Sequence, residues 1–176
     1  MKTRLGLISG ILAAVSIIPV QAQELTTGQI PPAFELVDQN GKTHHLYDYN
    51  GQWIVLYFYP KDDTPGCTIE ANQFTARAAE FAKINTVILG VSKDPGDSHQ
   101  AFIDKFNLTI DLLADTDGKL CNDYGVWQEK EKNGVKKMGI VRSTFIINKA
   151  GKLADVEYGV TADGHAQAVL DKIKAL

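Results

Sequence analysis

The sequence predicts an α/β fold in which helices cover a mixed β-sheet. Two continuous apolar runs, Trp53–Tyr59 and Thr86–Ser92, are typical of parallel strands that are buried on both faces. Between them, apolar residues recur at helical spacing from Cys67 to about Lys83, which predicts a crossover helix and hence a right-handed βαβ unit. Two later runs, Ser143–Ile147 and Leu153–Tyr158, are separated by a glycine-containing turn and predict an antiparallel hairpin.

Weaker patterns predict the other elements. In chain order they are a hairpin of Phe34–Asp38 and Lys42–Leu46 around Asn40-Gly41, a helix from about Ser98 to Phe106, a strand near Ile110–Leu113, a short helix around Gly118–Tyr124, a hairpin around Asn133-Gly134, and a C-terminal helix with apolar positions from Ala166 to Leu176. This order predicts a sheet with a parallel half and an antiparallel half. That is the thioredoxin-like arrangement, here with an extra N-terminal β-hairpin.

Composition limits the function classes. The chain has 176 residues, of which 44% are hydrophobic and 22% charged, so we expect one domain rather than a disordered or multi-span membrane protein. The formal net charge of −3 argues against nucleic acid as the main partner, because phosphate binding needs a basic surface. Two cysteines are too few for a disulfide framework or a four-cysteine metal site.

Residues 1–22 have the pattern of a signal peptide. Lys2 and Arg4 precede the apolar stretch Leu5–Val20, and Val20-Gln21-Ala22 supplies small residues at the two positions that a signal peptidase recognises. An apolar run of this length is shorter than the roughly 20 residues of a membrane span, so we expect no membrane anchor. The sequence therefore predicts a domain of residues 23–176 that is exported and is periplasmic or secreted.

Cys67 is the candidate nucleophile. It follows a buried strand and opens a helix, where unpaired N–H groups and the helix dipole favour a thiolate. Thr64, three residues earlier, is close enough in the turn to reach the sulfur or a bound oxygen. Asp62 and Asp63 oppose the thiolate, so a compensating cation is required, and Arg142 is the candidate. A buried structural thiol and a surface arginine are the alternative interpretations.

The four histidines carry no site in this interpretation. His44 and His45 are adjacent on a predicted strand and point to opposite faces, so they cannot share a metal. His99 and His165 each stand alone on a predicted helix, where we expect solvated positions.

The segment Phe58–Glu70 resembles the peroxiredoxin signature Pro-x-x-x-Thr-x-x-Cys. Three further segments, Leu113–Lys119, Tyr124–Trp127 and Arg142–Asn148, are similar to the bacterioferritin-comigratory, or Q-type, class of that family. The resemblance covers essentially the whole chain after residue 22.

This resemblance implies a thiol peroxidase that needs no metal or other cofactor. Cys67 matches the peroxidatic cysteine, which attacks a peroxide oxygen and becomes a sulfenic acid. Thr64 and Arg142 match residues that bind the peroxide and stabilise the thiolate, and Pro60 matches a residue that shields the sulfur. The implied substrates are hydrogen peroxide or alkyl hydroperoxides, and the implied reductant is a thioredoxin-like protein or a small thiol. No nucleic acid is expected as a partner, and we expect a monomer or weak dimer.

The sequence departs from the family where many members carry a resolving cysteine. The position five residues after Cys67 is Asn72, and the predicted helix Ser98–Phe106 contains no cysteine. Three routes therefore stay open, namely resolution by Cys121, resolution by an external thiol, and cross-linking of two subunits. A disulfide needs Cα atoms within about 7 Å, which the sequence does not establish for Cys67 and Cys121, and we expect an external thiol to resolve Cys67.

Two other functions compete with peroxide reduction. A thioredoxin-type oxidoreductase needs two cysteines separated by two residues, and Thr64-Pro-Gly-Cys67 has that spacing with threonine in the first place. A non-enzymatic thioredoxin-fold binding module would leave Cys67 inert. Reaction of Cys67 with peroxide separates the three functions.

Overall fold

The protein is built on a five-stranded mixed sheet. The computed structural model describes residues 24–176, so the predicted signal peptide of residues 1–22 and the start at Gln23 lie outside the described residues. The elements in chain order are β1 (Glu35–Val37), β2 (Thr43–His45), a 3₁₀ helix (Leu46–Tyr49), β3 (Trp53–Phe58), α1 (Pro65–Lys83), β4 (Thr86–Ser92), α2 (Gly96–Phe106), β5 (Asp111–Ala114), α3 (Lys119–Asp123), β6 (Trp127–Lys132), β7 (Val135–Ile140), β8 (Ser143–Ile147), β9 (Leu153–Tyr158) and α4 (His165–Ala175).

The strand order of the central sheet is β5-β4-β3-β8-β9. Strands β3, β4 and β5 are parallel, whereas β8 and β9 run antiparallel to their neighbours. The predicted thioredoxin-like fold, with a parallel and an antiparallel half, is therefore confirmed. The extra N-terminal hairpin is β1 paired with β2, and β6 pairs with β7 in a second separate hairpin.

Each face of the sheet carries its own hydrophobic core. Because side chains alternate along a strand, Val55 and Tyr57 of β3 face one core and Ile54 and Leu56 face the other. The first core packs under α1, α2 and α4, whereas the second packs under α3 and the N-terminal segment. Across the described residues, 24–176, none of the helices combines the length and the hydropathy that a membrane span requires.

The predicted boundaries of β4, β8 and β9 are exact, but both crossover helices begin two residues earlier than predicted. Helix α1 starts at Pro65, whose fixed φ suits the first helical position and whose missing N–H is not needed there. Helix α2 starts at Gly96, after Pro95. The opposite orientations of His44 and His45 are confirmed, since His44 is buried and His45 is partly exposed.

Candidate active site

Cys67 lies in the first turn of α1, at the end of a loop that follows β3. Thr64 is the N-cap of the helix and Pro65 its first residue, which makes Cys67 the third helical residue. Its side chain belongs to the first core and is only 2% exposed. The N–H groups of the first turn have no intrahelical acceptor, and together with the helix dipole they favour negative charge on the sulfur.

Arg142 brings a positive charge to the sulfur. It lies between β7 and β8, and its Nη2 donates to Cys67 Sγ at 3.2 Å. Its Nη1 donates to Glu70 Oε2. Burial alone would lower the pKa of Arg142, but the Glu70 carboxylate and the contact with Cys67 outweigh it, so the pKa is raised and the guanidinium stays charged. The structure thus places a fixed cation where sequence reasoning required one.

Glu70 and His165 complete the site, and sequence reasoning missed both. Glu70 is fully buried, and its Oε1 accepts a hydrogen bond from His165 Nδ1 at 2.8 Å. The prediction of a solvated face for His165 is wrong, because His165 is buried beside the α1 helix. One signal was available: Glu70 follows Cys67 by three residues, which places both side chains on one face of a helix.

Asp62 and Asp63 each have hydrogen-bonding partners other than the sulfur. Asp62 is buried and turns toward α2, where it accepts hydrogen bonds from Ser98 Oγ at 2.7 Å and His99 Nδ1 at 2.8 Å. Asp63 is exposed and pairs with Lys105 at 2.6 Å. His99, predicted to be solvated, is fully buried in this contact.

Thr64 and Pro60 lie at the two ends of the loop that leads to Cys67. The Thr64 hydroxyl donates to the carbonyl oxygen of Lys61 at 2.9 Å, so in this structure its proton is directed into the loop rather than at the sulfur. The hydroxyl oxygen keeps capacity to accept a hydrogen bond. Pro60 is exposed at the start of the loop.

Cys121 lies in α3 and is fully buried in the second core, on the other face of the sheet from Cys67. Burial, together with the neighbouring Asp115 carboxylate, raises the pKa of the Cys121 thiol far above its ordinary range. Both cysteines are free thiols. The structure therefore does not bring the two cysteines together.

Comparison with known proteins places this geometry in context. Residues 27–156 match the AhpC/TSA family. A putative peroxiredoxin Bcp of Helicobacter pylori is 46% identical over 151 residues, which cover 86% of this chain and 99% of that protein. Peroxiredoxin Bcp of Bacillus subtilis is 44% identical, with 84% of this chain and 94% of the relative covered.

Solved structures are similar over the same region. The bacterioferritin comigratory protein of Xanthomonas campestris, described as having alkyl peroxide reduction activity, superposes with a TM-score of 0.77 and is 40% identical, with 81% of this chain and 90% of that chain covered. A cysteine-to-serine mutant of Xylella fastidiosa PrxQ gives a TM-score of 0.80 at 36% identity, with 87% and 97% of the two chains covered.

Proposed function

The chain belongs to the AhpC/TSA family and is a thiol peroxidase of the peroxiredoxin kind, and from that premise we propose that Cys67 reduces hydrogen peroxide and alkyl hydroperoxides. The observation that carries the assignment to Cys67 is the 3.2 Å contact between Arg142 Nη2 and Cys67 Sγ at the start of a helix. A fixed guanidinium favours the thiolate, which is the nucleophilic form of cysteine. The alkyl peroxide reduction described for the Xanthomonas relative supports the substrate class.

The reaction at Cys67 is a two-electron oxidation of sulfur. The thiolate attacks one peroxide oxygen, a sulfur–oxygen bond forms, and the oxygen–oxygen bond breaks. The products are the sulfenic acid of Cys67 and a hydroxide or alkoxide, which takes up a proton to give water or an alcohol. Negative charge moves from sulfur to the leaving oxygen, and the Arg142 guanidinium stabilises both positions.

Thr64 and Pro60 have supporting roles in this proposal. The Thr64 hydroxyl oxygen accepts a hydrogen bond from the bound peroxide, while the hydroxyl itself donates to the carbonyl oxygen of Lys61. Pro60 covers the entrance to the sulfur, where its lack of an N–H group leaves an apolar surface.

Recycling of the sulfenic acid uses an external thiol. A first thiol attacks the sulfenic sulfur, releases water and forms a mixed disulfide, and a second thiol releases Cys67 as a thiol. The burial of Cys121 on the opposite face of the sheet supports this route over internal resolution. Because no second subunit is needed for either step, we propose a monomer or weak dimer.

The alternative of a thioredoxin-type oxidoreductase is not favoured. Its first active-site cysteine would stand where Thr64 caps α1, and the only other thiol of the chain, Cys121, lies across the sheet.

The test is peroxide consumption by purified protein with dithiothreitol as reductant, using hydrogen peroxide and cumene hydroperoxide. We expect Cys67→Ser to abolish consumption and Arg142→Met to lower the rate by about 10²–10³-fold, as loss of a preorganised transition-state donor does. Arg142→Lys keeps a positive charge beside the buried Glu70, so it serves as the variant for this test if Arg142→Met does not fold. Activity of Cys67→Ser equal to that of the wild type would refute the proposal.

Export of the mature protein is part of the proposal. It rests on the charged start, apolar stretch and small residues of residues 1–22, and on a family match that begins only at residue 27. The predicted product starts at Gln23. Expression in a bacterium followed by N-terminal sequencing of the periplasmic fraction tests this. Uncleaved protein confined to the cytoplasm would contradict it.

A further inference from the structure

His165 is joined to the reactive sulfur through two intermediate side chains. Its Nδ1 lies 2.8 Å from Glu70 Oε1, and because a carboxylate only accepts hydrogen bonds, Nδ1 is the donor. The other carboxylate oxygen of Glu70 accepts from Arg142 Nη1, and Arg142 Nη2 donates to Cys67 Sγ. The four side chains thus form one line of three successive hydrogen bonds, from His165 through Glu70 and Arg142 to Cys67.

Glu70 is the critical member of this line, because its carboxyl group is fully buried and contacts both Arg142 and His165. Its two oxygens are divided between two donors, one from Arg142 and one from His165. An unshared carboxylate would instead bind the arginine fork with both oxygens, which is the preferred geometry of such pairs. That arrangement would use both terminal nitrogens of Arg142 and withdraw Nη2 from the sulfur.

We propose, on the basis of the proposed role of Cys67, that His165 is a positioning residue that occupies Glu70 Oε1 and thereby keeps Arg142 Nη2 on Cys67 Sγ. The role is geometric, since it leaves one nitrogen of the Arg142 guanidinium free to donate to the sulfur.

The start of α4 is fixed so that His165 can do this. Gln73 on α1 donates to Asp163 Oδ1 at 2.7 Å and accepts from the Gly164 N–H at 2.9 Å, which ties both residues before His165 to the helix that carries Cys67. The His165 ring also packs edge-on against Phe74 of the same helix, with ring centroids 5.7 Å apart. Residues of α1 therefore fix the position of His165, and His165 in turn orients Glu70, which lies on the same helix α1.

The other titratable groups around the sulfur do not replace this contact. Tyr57 is buried in the same core, and burial raises the pKa of its phenol well above the ordinary value, so it stays neutral. Asp62 faces α2, and Asp63 pairs with Lys105. Among the described residues, Arg142 is the charged group within hydrogen-bond distance of Sγ.

The test measures alkylation of the reduced protein by iodoacetamide as a function of pH, which reports the thiolate of Cys67 without peroxide. His165→Phe keeps a ring beside Phe74 but removes the donor, and we expect its alkylation midpoint to rise by about one pH unit, which is tenfold less thiolate below the midpoint. His165→Asn retains a side-chain N–H that can donate to Glu70, so its alkylation midpoint should lie close to that of the wild type. If His165→Phe does not fold, His165→Leu carries the same expectation.

The matched control is Arg77→Met. Arg77 Nε donates to Gln167 Oε1 at 2.8 Å across the same α1–α4 interface, and its Nη1 donates to the Gln73 carbonyl oxygen rather than to Glu70. We expect this variant to lose stability toward urea while its alkylation midpoint stays that of the wild type. An unchanged or lowered midpoint for His165→Phe, or an equal shift for His165→Asn, would overturn the role of His165. Failure of Cys67 to react with peroxide would instead refute the proposed function, and the alkylation profile would still decide the role of His165.

Discussion

Cys67 and Cys121 lie on opposite faces of the five-stranded sheet. Cys67 packs in the core with Val55 and Tyr57, and Cys121 packs in the core with Ile54 and Leu56, the alternating residues of β3. The central strand of the sheet therefore separates the two thiols. A disulfide between them would require the sheet or one of its covering layers to come apart.

Replacement of Cys121 is expected to leave catalysis unchanged. Because Cys121 is buried and its raised pKa keeps the thiol protonated, it is a poor nucleophile toward a sulfenic acid. We expect Cys121→Ser to consume peroxide with dithiothreitol at a rate within about twofold of the wild type, as for a distant independent site. Cys121→Ala is the control, because it removes the thiol without placing the hydroxyl of serine in the apolar core. Loss of turnover with retention of the first peroxide reduction would mean that Cys121 resolves.

Asn72→Cys should introduce a resolving thiol that is slow to react. Asn72 is exposed on α1, five residues from Cys67, which is about 7.5 Å along an intact helix axis. This exceeds the span of a disulfide, so the first turns of α1 must unwind before the bond forms. Mass spectrometry after peroxide addition should show sulfenic acid first and the disulfide later. Gln73→Ala in the same chain, which removes the hydrogen bonds from α1 to the start of α4, should speed the second step.

A slower disulfide in the double variant than in Asn72→Cys alone would contradict this view of α1. Asn72→Ser is the matched control, since it changes the same exposed position without adding a thiol. It should give sulfenic acid and no intramolecular disulfide.

Gly66→Ala should slow the peroxide reaction without loss of stability. A Cβ at Gly66 would lie 3.3 Å from Arg142 Nη2, so the guanidinium must shift by a few tenths of an ångström from its place on the sulfur. Small displacements of a catalytic group lower the rate constant of the reaction that it assists. Alanine also favours the helix more than glycine does, so we expect stability toward urea to be equal or higher.

The matched control for Gly66→Ala is Gly139→Ala. Its Cβ would lie at the same 3.3 Å from a side-chain atom, here Lys130 Cδ in the β6–β7 hairpin. Stopped-flow measurement of the reaction with hydrogen peroxide should give a several-fold lower rate constant for Gly66→Ala and the wild-type value for Gly139→Ala. Equal rate constants for the two variants would show that Arg142 tolerates the displacement.

Asp62→Asn should destabilise the protein in a pH-dependent way. Burial alone would raise the pKa of Asp62, but hydrogen bonds from His99, Tyr59 and Ser98 outweigh it and the pKa is lowered below 3.8. The ionised Asp62 therefore contributes its full stabilisation when the pH is above the pKa of the unfolded state, 3.8. This stabilisation is lost as the pH falls below 3.8 and through the lower pKa of the folded state. Asparagine leaves buried donors unpaired, so the free energy of unfolding should fall by about 1–3 kcal/mol at pH 7.

Urea unfolding at pH 7 and at pH 3 measures this effect. The difference between the wild type and Asp62→Asn should be largest at pH 7 and should shrink at pH 3. Asp63→Asn is the neighbouring control, because its exposed pair with Lys105 contributes little. A difference that grows on acidification would contradict the lowered pKa of Asp62.

Sequence patterns predicted the sheet well because apolar residues dominate its central strands. β4, β8 and β9 are buried or half-buried throughout, and their boundaries coincide with the ends of the apolar pattern. Cys67 was also predicted, from its place at a helix start, which is a local feature of the chain. The charge of the loop indicated only that a cation was required, and Arg142 was the candidate that the family resemblance matched.

The Glu70–His165 pair could not be predicted in the same way. The two residues are 95 positions apart, and a lone histidine on a helix does not reveal whether a buried carboxylate faces it. The same reason applies to Asp62, whose hydrogen bonds from His99 and Ser98 of α2 depend on the tertiary fold. In both cases a partner that is distant in the sequence determines which groups the carboxylate contacts, and the local sequence does not reveal that partner.

The most direct test of the central claim is a single turnover followed by intact mass spectrometry. Reduced protein is mixed rapidly with one equivalent of hydrogen peroxide, without thiol, and quenched over time for the wild type, Cys67→Ser and Cys121→Ser. We predict that the wild type and Cys121→Ser each gain one oxygen atom, located at Cys67, at equal rates, while Cys67→Ser does not react. Oxidation of Cys67→Ser as fast as the wild type would contradict the account.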